Sequence, residues 1–253
     1  MNEITYIHVL KSLLLVVVAV VVSRCWKVRA EKDMVIGTVR SFVQLLAVGY
    51  ALKYIFEPDL LILNILVVLV MVTVAGYTAS SRIHHLSRPF PLCMIALAVG
   101  AMGTLFSLMI INPDWLTARY IIPLGGMIIS NSMNATTLSV SRLVSDIRSN
   151  RLEIETSLSL GKSWHIATKN YRREATVTGM ISILNFMKTV GLVALPGAMT
   201  GMILGGAEPL EAVLLQLVVA YMLLAATAVT SVVAVELTVR KFFTTHHQLV
   251  IEE

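Results

Sequence analysis

Seven stretches of this chain are apolar for about the length an α-helix needs to cross a lipid hydrocarbon core, roughly 20 residues for about 30 Å. They cover about 7–22, 35–56, 60–79, 89–111, 120–140, 175–195 and 210–238. The apolar residues come as continuous runs rather than as a stripe along one helical face, which points to lipid on several sides instead of a single core. The expected fold is all-α, a polytopic integral membrane helical bundle of about seven transmembrane helices. Only 14% of residues are charged and 57% are hydrophobic, against roughly a quarter charged in a soluble domain. One transmembrane domain, 1–253, accounts for the chain and leaves no room for a separate soluble domain.

The breaks between runs carry the charges. Ser23-Arg24-Cys25-Trp26-Lys27-Val28-Arg29 follows the first run, Arg82, His84, His85 and Arg88 follow the third, and Arg240 and Lys241 follow the seventh. Glu57-Pro58-Asp59, Asn112-Pro113-Asp114-Trp115 and Glu208-Pro209 mark the opposite ends. Of the 20 Lys and Arg, 15 fall on the Arg24 side, while Lys11, Lys53 and Arg119 lie near the other ends and Arg40 and Lys188 within runs. The positive-inside rule therefore places the N-terminus outside and the C-terminus in the cytoplasm, in the cell inner (plasma) membrane. The first run lacks the basic n-region and small-residue cleavage site of a signal peptide and is read as a span.

The net charge of +5 is what such a topology requires, and without aromatic interleaving it gives no nucleic-acid surface. Cys25 and Cys93 belong to no motif. The pairs His84-His85 and His246-His247 diverge on a helix, so no metal site and no cofactor are expected. The 13 Met, including Met127, Met133, Met180, Met187, Met199 and Met202, read as core filling, because thioethers suit Cu(I) better than ferrous iron.

One long segment, 142–174, is too polar for lipid: it carries Arg142, Arg148, Arg151, Lys162, Lys169, Arg172 and Arg173 beside Asp146, Glu153, Glu155 and Glu174. Its Gly161-Lys162-Ser163 ends like a phosphate-binding loop, but Thr156 replaces the first glycine and no βαβ context exists. ATP, if used, is bound by another chain. Glu155 stands six positions before Gly161, the spacing of the E-A-A-x-x-x-G element with which importer-type ABC permeases insert a helix, a turn and a second helix into an ATPase. The Ile-x-Leu-Pro that closes that element is absent, with Tyr171-Arg172-Arg173-Glu174 in its place. On spacing alone, a solvated loop joining two spans remains the alternative to a coupling loop at Glu155, Leu158, Leu160, Gly161 and Lys162.

The runs on either side of this segment hold the most small polar residues. Ser130, Asn134, Thr137 and Ser141 share one helical face, and Thr178, Ser182, Asn185 and Thr189 repeat the spacing. With Asn131 and Lys188 they form a candidate pathway; the alternative is hydrogen bonding between helices, about 1 kcal/mol each. Arg40 and Lys188 are charges within runs, costing about 3 kcal/mol on insertion scales and so expected to have a partner or a task. No carboxylate lies inside any run away from its ends; Glu211 and Glu236 stand at the two ends of the seventh. Lys188 suits an anionic or chelated cargo better than bare ferrous ion, whereas Arg40 also fits snorkelling to the inner face. Gly197, Gly201 and Gly205 form overlapping G-x-x-x-G units, suited to close helix contact in a dimer or to a tight turn within 196–207, a piece that is either re-entrant or an external loop.

Pro123-Leu-Gly-Gly-Met-Ile-Ile-Ser-Asn131-Ser-Met-Asn134, Leu158-Ser-Leu-Gly161, Lys188-Thr-Val-Gly-Leu-Val-Ala-Leu-Pro196-Gly-Ala-Met-Thr-Gly201 and Arg240-Lys-Phe-Phe with His247-Gln-Leu-Val250 resemble the FetB family of bacterial permeases, to which plant aluminium-tolerance permeases belong. Arg40-Ser-Phe-Val-Gln44, Gly49-Tyr50 and Lys53-Tyr-Ile-Phe56 extend the resemblance over nearly the whole chain. The resemblance implies the permease subunit of an ABC transporter, paired with a separate ABC ATPase subunit, forming a homodimer in the bilayer and exporting iron or an iron complex. Nucleotide sugar is the alternative cargo, since related plant complexes have been tied to UDP-glucose. An ATP-independent carrier or channel would need an intramembrane carboxylate for ion coupling. Inverted-repeat carriers also show paired broken helices, which these halves lack. An enzyme would need an H-E-x-x-H, an Asp pair or a Ser/His dyad, and the runs hold none.

Overall fold

The computed structural model describes residues 6–56, 60–83, 86–244 and 248–250. The turn Glu57-Pro58-Asp59 and the pairs His84-His85 and His246-His247 lie outside the described residues. Among the described residues every regular element is helical, and β-type pairing is limited to two isolated bridges, Val190 with Ala194 and Phe243 with Leu249. The chain divides into two compact units, Met1–Pro58 and Asp59–Glu253.

In the first unit α1 (Tyr6–Cys25) packs on α2 (Glu31–Phe56). The basic cluster between them is a tight turn: Lys27 and Arg29 adopt left-handed φ values of 53° and 63°, and the Val28 N–H returns to the Ser23 carbonyl at 2.9 Å. Glu31 and Asp33 occupy the first turn of α2, where carboxylates meet the positive end of the helix dipole. Leu14, Leu15, Val39 and Leu45 are exposed. Apolar surface of this extent calls for lipid or another protein around it.

The second unit is organised on three long helices, α6 (Ala118–Ser149), α9 (Lys169–Thr189) and α11 (Pro209–Arg240), each packed on the other two. α3 (Leu61–Arg82) lies on α6. The run opened by Pro89 continues as α4 (Pro89–Leu97), a π-helical turn (Ala98–Met102) and α5 (Gly103–Ile111), with α4 and the π turn against α11. Pro89 suits a first helical turn, where the missing N–H has no acceptor to lose. Short helices α7 (Arg151–Ser159) and α8 (Trp164–Ala167) connect α6 to α9, and α10 (Gly197–Leu204) precedes α11.

Small residues set the helix spacing. A Cβ on Gly179 of α9 would collide with the Ser139 and Ser231 hydroxyls and lie 2.9 Å from the Ala135 carbonyl. A Cβ on Gly100, in the π turn, would sit 2.7 Å from the Thr230 nitrogen. Backbones brought this close gain dispersion contacts, the main attraction between helices once lipid removes the hydrophobic drive. Apolar side chains then fill two cores, one around Val68, Leu97, Ile128 and Ile183 and one around Cys93, Leu143, Ile147, Ile154 and Val239.

Among the described residues, four helical stretches are long and apolar enough to cross a membrane: Glu31–Leu52, Leu61–Arg82, Pro89–Ile111 and Pro209–Arg240. α6 and α9 coincide with the fifth and sixth apolar runs, but their small polar residues and charged ends lower the mean hydropathy. α9 begins six residues earlier than the sixth run and stops at Thr189, where the chain turns at Gly191 with φ 82°. α10, with eight residues, is about 12 Å long and too short to span; it packs on α11. A Cβ on Gly197 or Gly201 would meet nothing. The tight turn belongs instead to Gly206, φ 95°, which closes α10 with the Ala207 N–H on the Met202 carbonyl and its own on Ile203, both at 3.0 Å.

Candidate coupling element and pathway face

The charged segment 142–174 is mostly helical: the end of α6, then α7, α8 and the start of α9. Gly161 reverses the chain between α7 and α8. The Lys162 N–H bonds the Ser157 carbonyl at 3.2 Å and the Gly161 N–H bonds Leu158 at 2.9 Å, the paired closure that a helix makes when its C′ residue is left-handed. Gly161 has φ 83°, so a side chain there is strained although the space is open. The helix, turn and second helix expected from the Glu155 to Gly161 spacing are thus present. Glu155 pairs with Arg151 at 2.7 Å, Ile154 is buried, and Leu158 packs against the second core. Lys162 points outward. So do Leu152, Leu160 and Ile166, which are 78%, 75% and 60% exposed in an otherwise charged segment.

Polar and aromatic contacts tie this element to the long helices. Tyr171 donates to Glu153 Oε2 at 2.8 Å; burial first, and then the Glu153 carboxylate, push its phenol up to about 12. Arg142 bonds Asp146 at 2.8 Å and Glu174 at 3.3 Å, and the Asp146 carboxylate raises its guanidinium above the ordinary value. Arg172 of α9 pairs with Glu236 of α11, which also receives Arg240 at 3.2 Å. The Arg172 guanidinium lies 5.9 Å over the Trp164 ring, and Trp164 stacks on Phe243 beyond α11. Lys241 donates to the Ser87 and Arg88 carbonyls at 2.7 and 2.9 Å.

The two polar stripes share helical faces as their spacing requires, and both turn away from the α6–α9–α11 packing. Ser130, Asn134, Ser141, Ser182, Asn185 and Lys188 are exposed, with Asn131, Thr137, Thr178 and Thr189 half-buried. Several close on their own helix: Asn131 donates to the Met127 carbonyl at 2.9 Å, Thr137 to Met133 at 3.0 Å and Thr189 to Asn185 at 2.9 Å. Local closure of this kind satisfies a hydroxyl without a neighbouring helix. Sequence reasoning missed the residues that do line the helix contacts: Ser132, Thr136 and Ser139 of α6, and Thr227, Thr230, Ser231 and Thr238 of α11, all buried. Ser132, Thr136 and Ser139 repeat the same i, i+4, i+7 spacing. Spacing alone therefore shows two polar faces on α6 and does not say which turns inward.

Arg40 is exposed on α2 in the first unit, and Lys188 is exposed in the last turn of α9 in the second. Met127, Met133, Met180 and Met187 pack half-buried against the first core. Among the described residues, no three of His, Cys, Asp and Glu gather closely enough to hold a metal ion.

Residues 6–243, spanning both units, match the family described as "Uncharacterised protein family (UPF0014)". The chain belongs to the UPF0014 family. It is 39% identical to "Protein ALUMINUM SENSITIVE 3" of Arabidopsis thaliana, covering 94% of this chain and 87% of that one. It is 39% identical to "UPF0014 membrane protein YjkA" of Bacillus subtilis, covering 96% and 98%. It is 36% identical to "Probable iron export permease protein FetB" of Escherichia coli, covering 96% and 93%. No solved structure matches. As a UPF0014 protein with several apolar helices, the chain is a multi-pass membrane protein.

Proposed function

We propose that this UPF0014 chain is the membrane-spanning permease subunit of an ABC transporter, exporting iron as a complex with ATP hydrolysed on a separate ATPase chain. The observation that carries the coupling role is the α7–Gly161–α8 element. It presents Leu160 and Leu152 to water, yet is braced on α9 through Tyr171–Glu153 and on the segment after α11 through Trp164–Phe243. Exposed aliphatic anchors rimmed by charge are what a protein partner covers. A push on such a braced element would pass to α9 and α11 rather than be lost in a loop.

In this reading the chain spans the membrane seven times, with the N-terminus outside and the C-terminus in the cytoplasm of the inner membrane. The exposed amides of Asn134 and Asn185 and the Lys188 ammonium suit neither lipid nor the bundle interior, since unsatisfied polar groups in hydrocarbon cost several kcal/mol, of order 3 for a charge. A second copy facing this surface across a hydrated pathway satisfies them. Closure of two ATPases would shift α7 and α8 and re-aim α6 and α9. The similarity to a protein named as an iron export permease supports iron, and Lys188 among amides favours an anionic iron complex over the bare cation.

Coexpression and copurification with candidate ABC ATPases tests the reading. The wild-type chain should copurify with one and stimulate its ATP hydrolysis. Gly161→Pro, which cannot adopt the turn, and Leu160→Ser, which removes only an exposed side chain, should both lose stimulation. Unchanged stimulation in both variants would sink the coupling role.

A further inference from the structure

We propose that the cleft between the charged ends of α9 and α11 binds the headgroup of an anionic phospholipid from the adjoining leaflet. The cleft holds about 350 Å³. At its mouth Lys169 and Arg173, one turn apart on α9, are exposed, and among the described residues neither is ion-paired. Glu236 at the rim does not neutralise them, because it is engaged by Arg172 and Arg240. The buried Arg172 Nε–H beside it finds no acceptor among the described residues.

The floor changes character one helical turn inward. Val177 of α9 and Val232 of α11 line it and are half exposed, and Ile181 and Val229 continue the apolar strip. A cationic mouth opening onto an aliphatic groove at the end of two membrane helices matches a lipid phosphate with its acyl chains laid along the groove. Free phosphate would use the mouth alone, whereas a zwitterionic lipid brings to the mouth a quaternary ammonium that Lys169 and Arg173 repel. This inference goes beyond the transport reading and needs only that α9 and α11 meet the membrane interface at this end.

Native mass spectrometry of the full-length protein, released from micelles holding equal phosphatidylglycerol and phosphatidylcholine, tests it. The wild type should retain phosphatidylglycerol preferentially. The double variant Lys169→Gln, Arg173→Gln should lower the ratio of the two lipids about thirtyfold, each surface cation contributing about fivefold. Val177→Trp, which fills the floor and keeps both charges, should also lower phosphatidylglycerol retention. Arg82→Gln, at an exposed cation ending α3, should leave the ratio unchanged, and millimolar inorganic phosphate should not displace the lipid. An unaltered ratio in the double variant, an equal fall in Arg82→Gln, or displacement by inorganic phosphate would each overturn the proposal.

Discussion

Trp164 and Phe243 stack with ring centroids 5.5 Å apart and planes 14° from parallel, joining α8 to the segment that follows α11. That segment folds back on itself: the Val250 N–H bonds the Phe242 carbonyl at 2.8 Å and the Thr244 N–H bonds Gln248 at 3.0 Å, with Phe242 buried. An exposed pair of short helices is thereby fixed by residues distant in sequence. Phe243→Ala should cost about 1 kcal/mol of stacking and lower the thermal midpoint of the detergent-solubilised protein by a few degrees. On the proposed coupling role it should weaken ATPase stimulation more than ATPase binding, because the proposed docking surface stays while its brace is lost. Stimulation and pull-down measured on the same preparation separate the two effects.

Gly179 is a point of close approach between α9 and its neighbours. Gly179→Ala forces a methyl group against the Ser139 and Ser231 hydroxyls and should destabilise the protein by about 2 kcal/mol. Gly103→Ala is the matched control: it is also helical, but a Cβ there meets nothing, and removing a helical glycine is neutral or mildly stabilising. Thermal unfolding of the two variants side by side should show a large drop for the first and none for the second.

Tyr171 should titrate late. Its phenol is raised from 10.0 to about 12, so the folded state favours the neutral form. The stabilisation is fully present below pH 10 and is lost as pH rises through the folded value near 12. Ultraviolet titration of phenolate absorbance should reveal a late-ionising tyrosine that disappears in Tyr171→Phe. The same variant should also flatten the alkaline loss of stability in that window.

The fold was legible where chemistry is one-dimensional. Continuous apolar runs fixed α1, α2, α3 and α11 to within a few residues, and Pro89 and Pro209 marked helix starts, because lipid demands length and proline lacks an N–H. The Glu155 to Gly161 spacing foretold the turn, since a left-handed C′ residue is nearly always glycine. The π turn at Ala98–Met102 left no signal beyond Gly100, whose need to be small lies in Thr230, far away in sequence. The orientation of the α6 stripes was equally hidden. Ser130-Asn134-Thr137 and Ser132-Thr136-Ser139 share one periodicity, and only the position of Gly179 decides which faces α9.

The most direct measurement is uptake into inside-out vesicles that hold this chain and the proposed ABC ATPase partner, comparing labelled ferrous ion with labelled anionic iron chelate. A coupled permease should give ATP-dependent accumulation of the chelate, lost in Leu160→Ser and reduced in Lys188→Gln. Accumulation that needs neither ATP nor the ATPase, or that survives both substitutions unchanged, would rule out the coupled permease role.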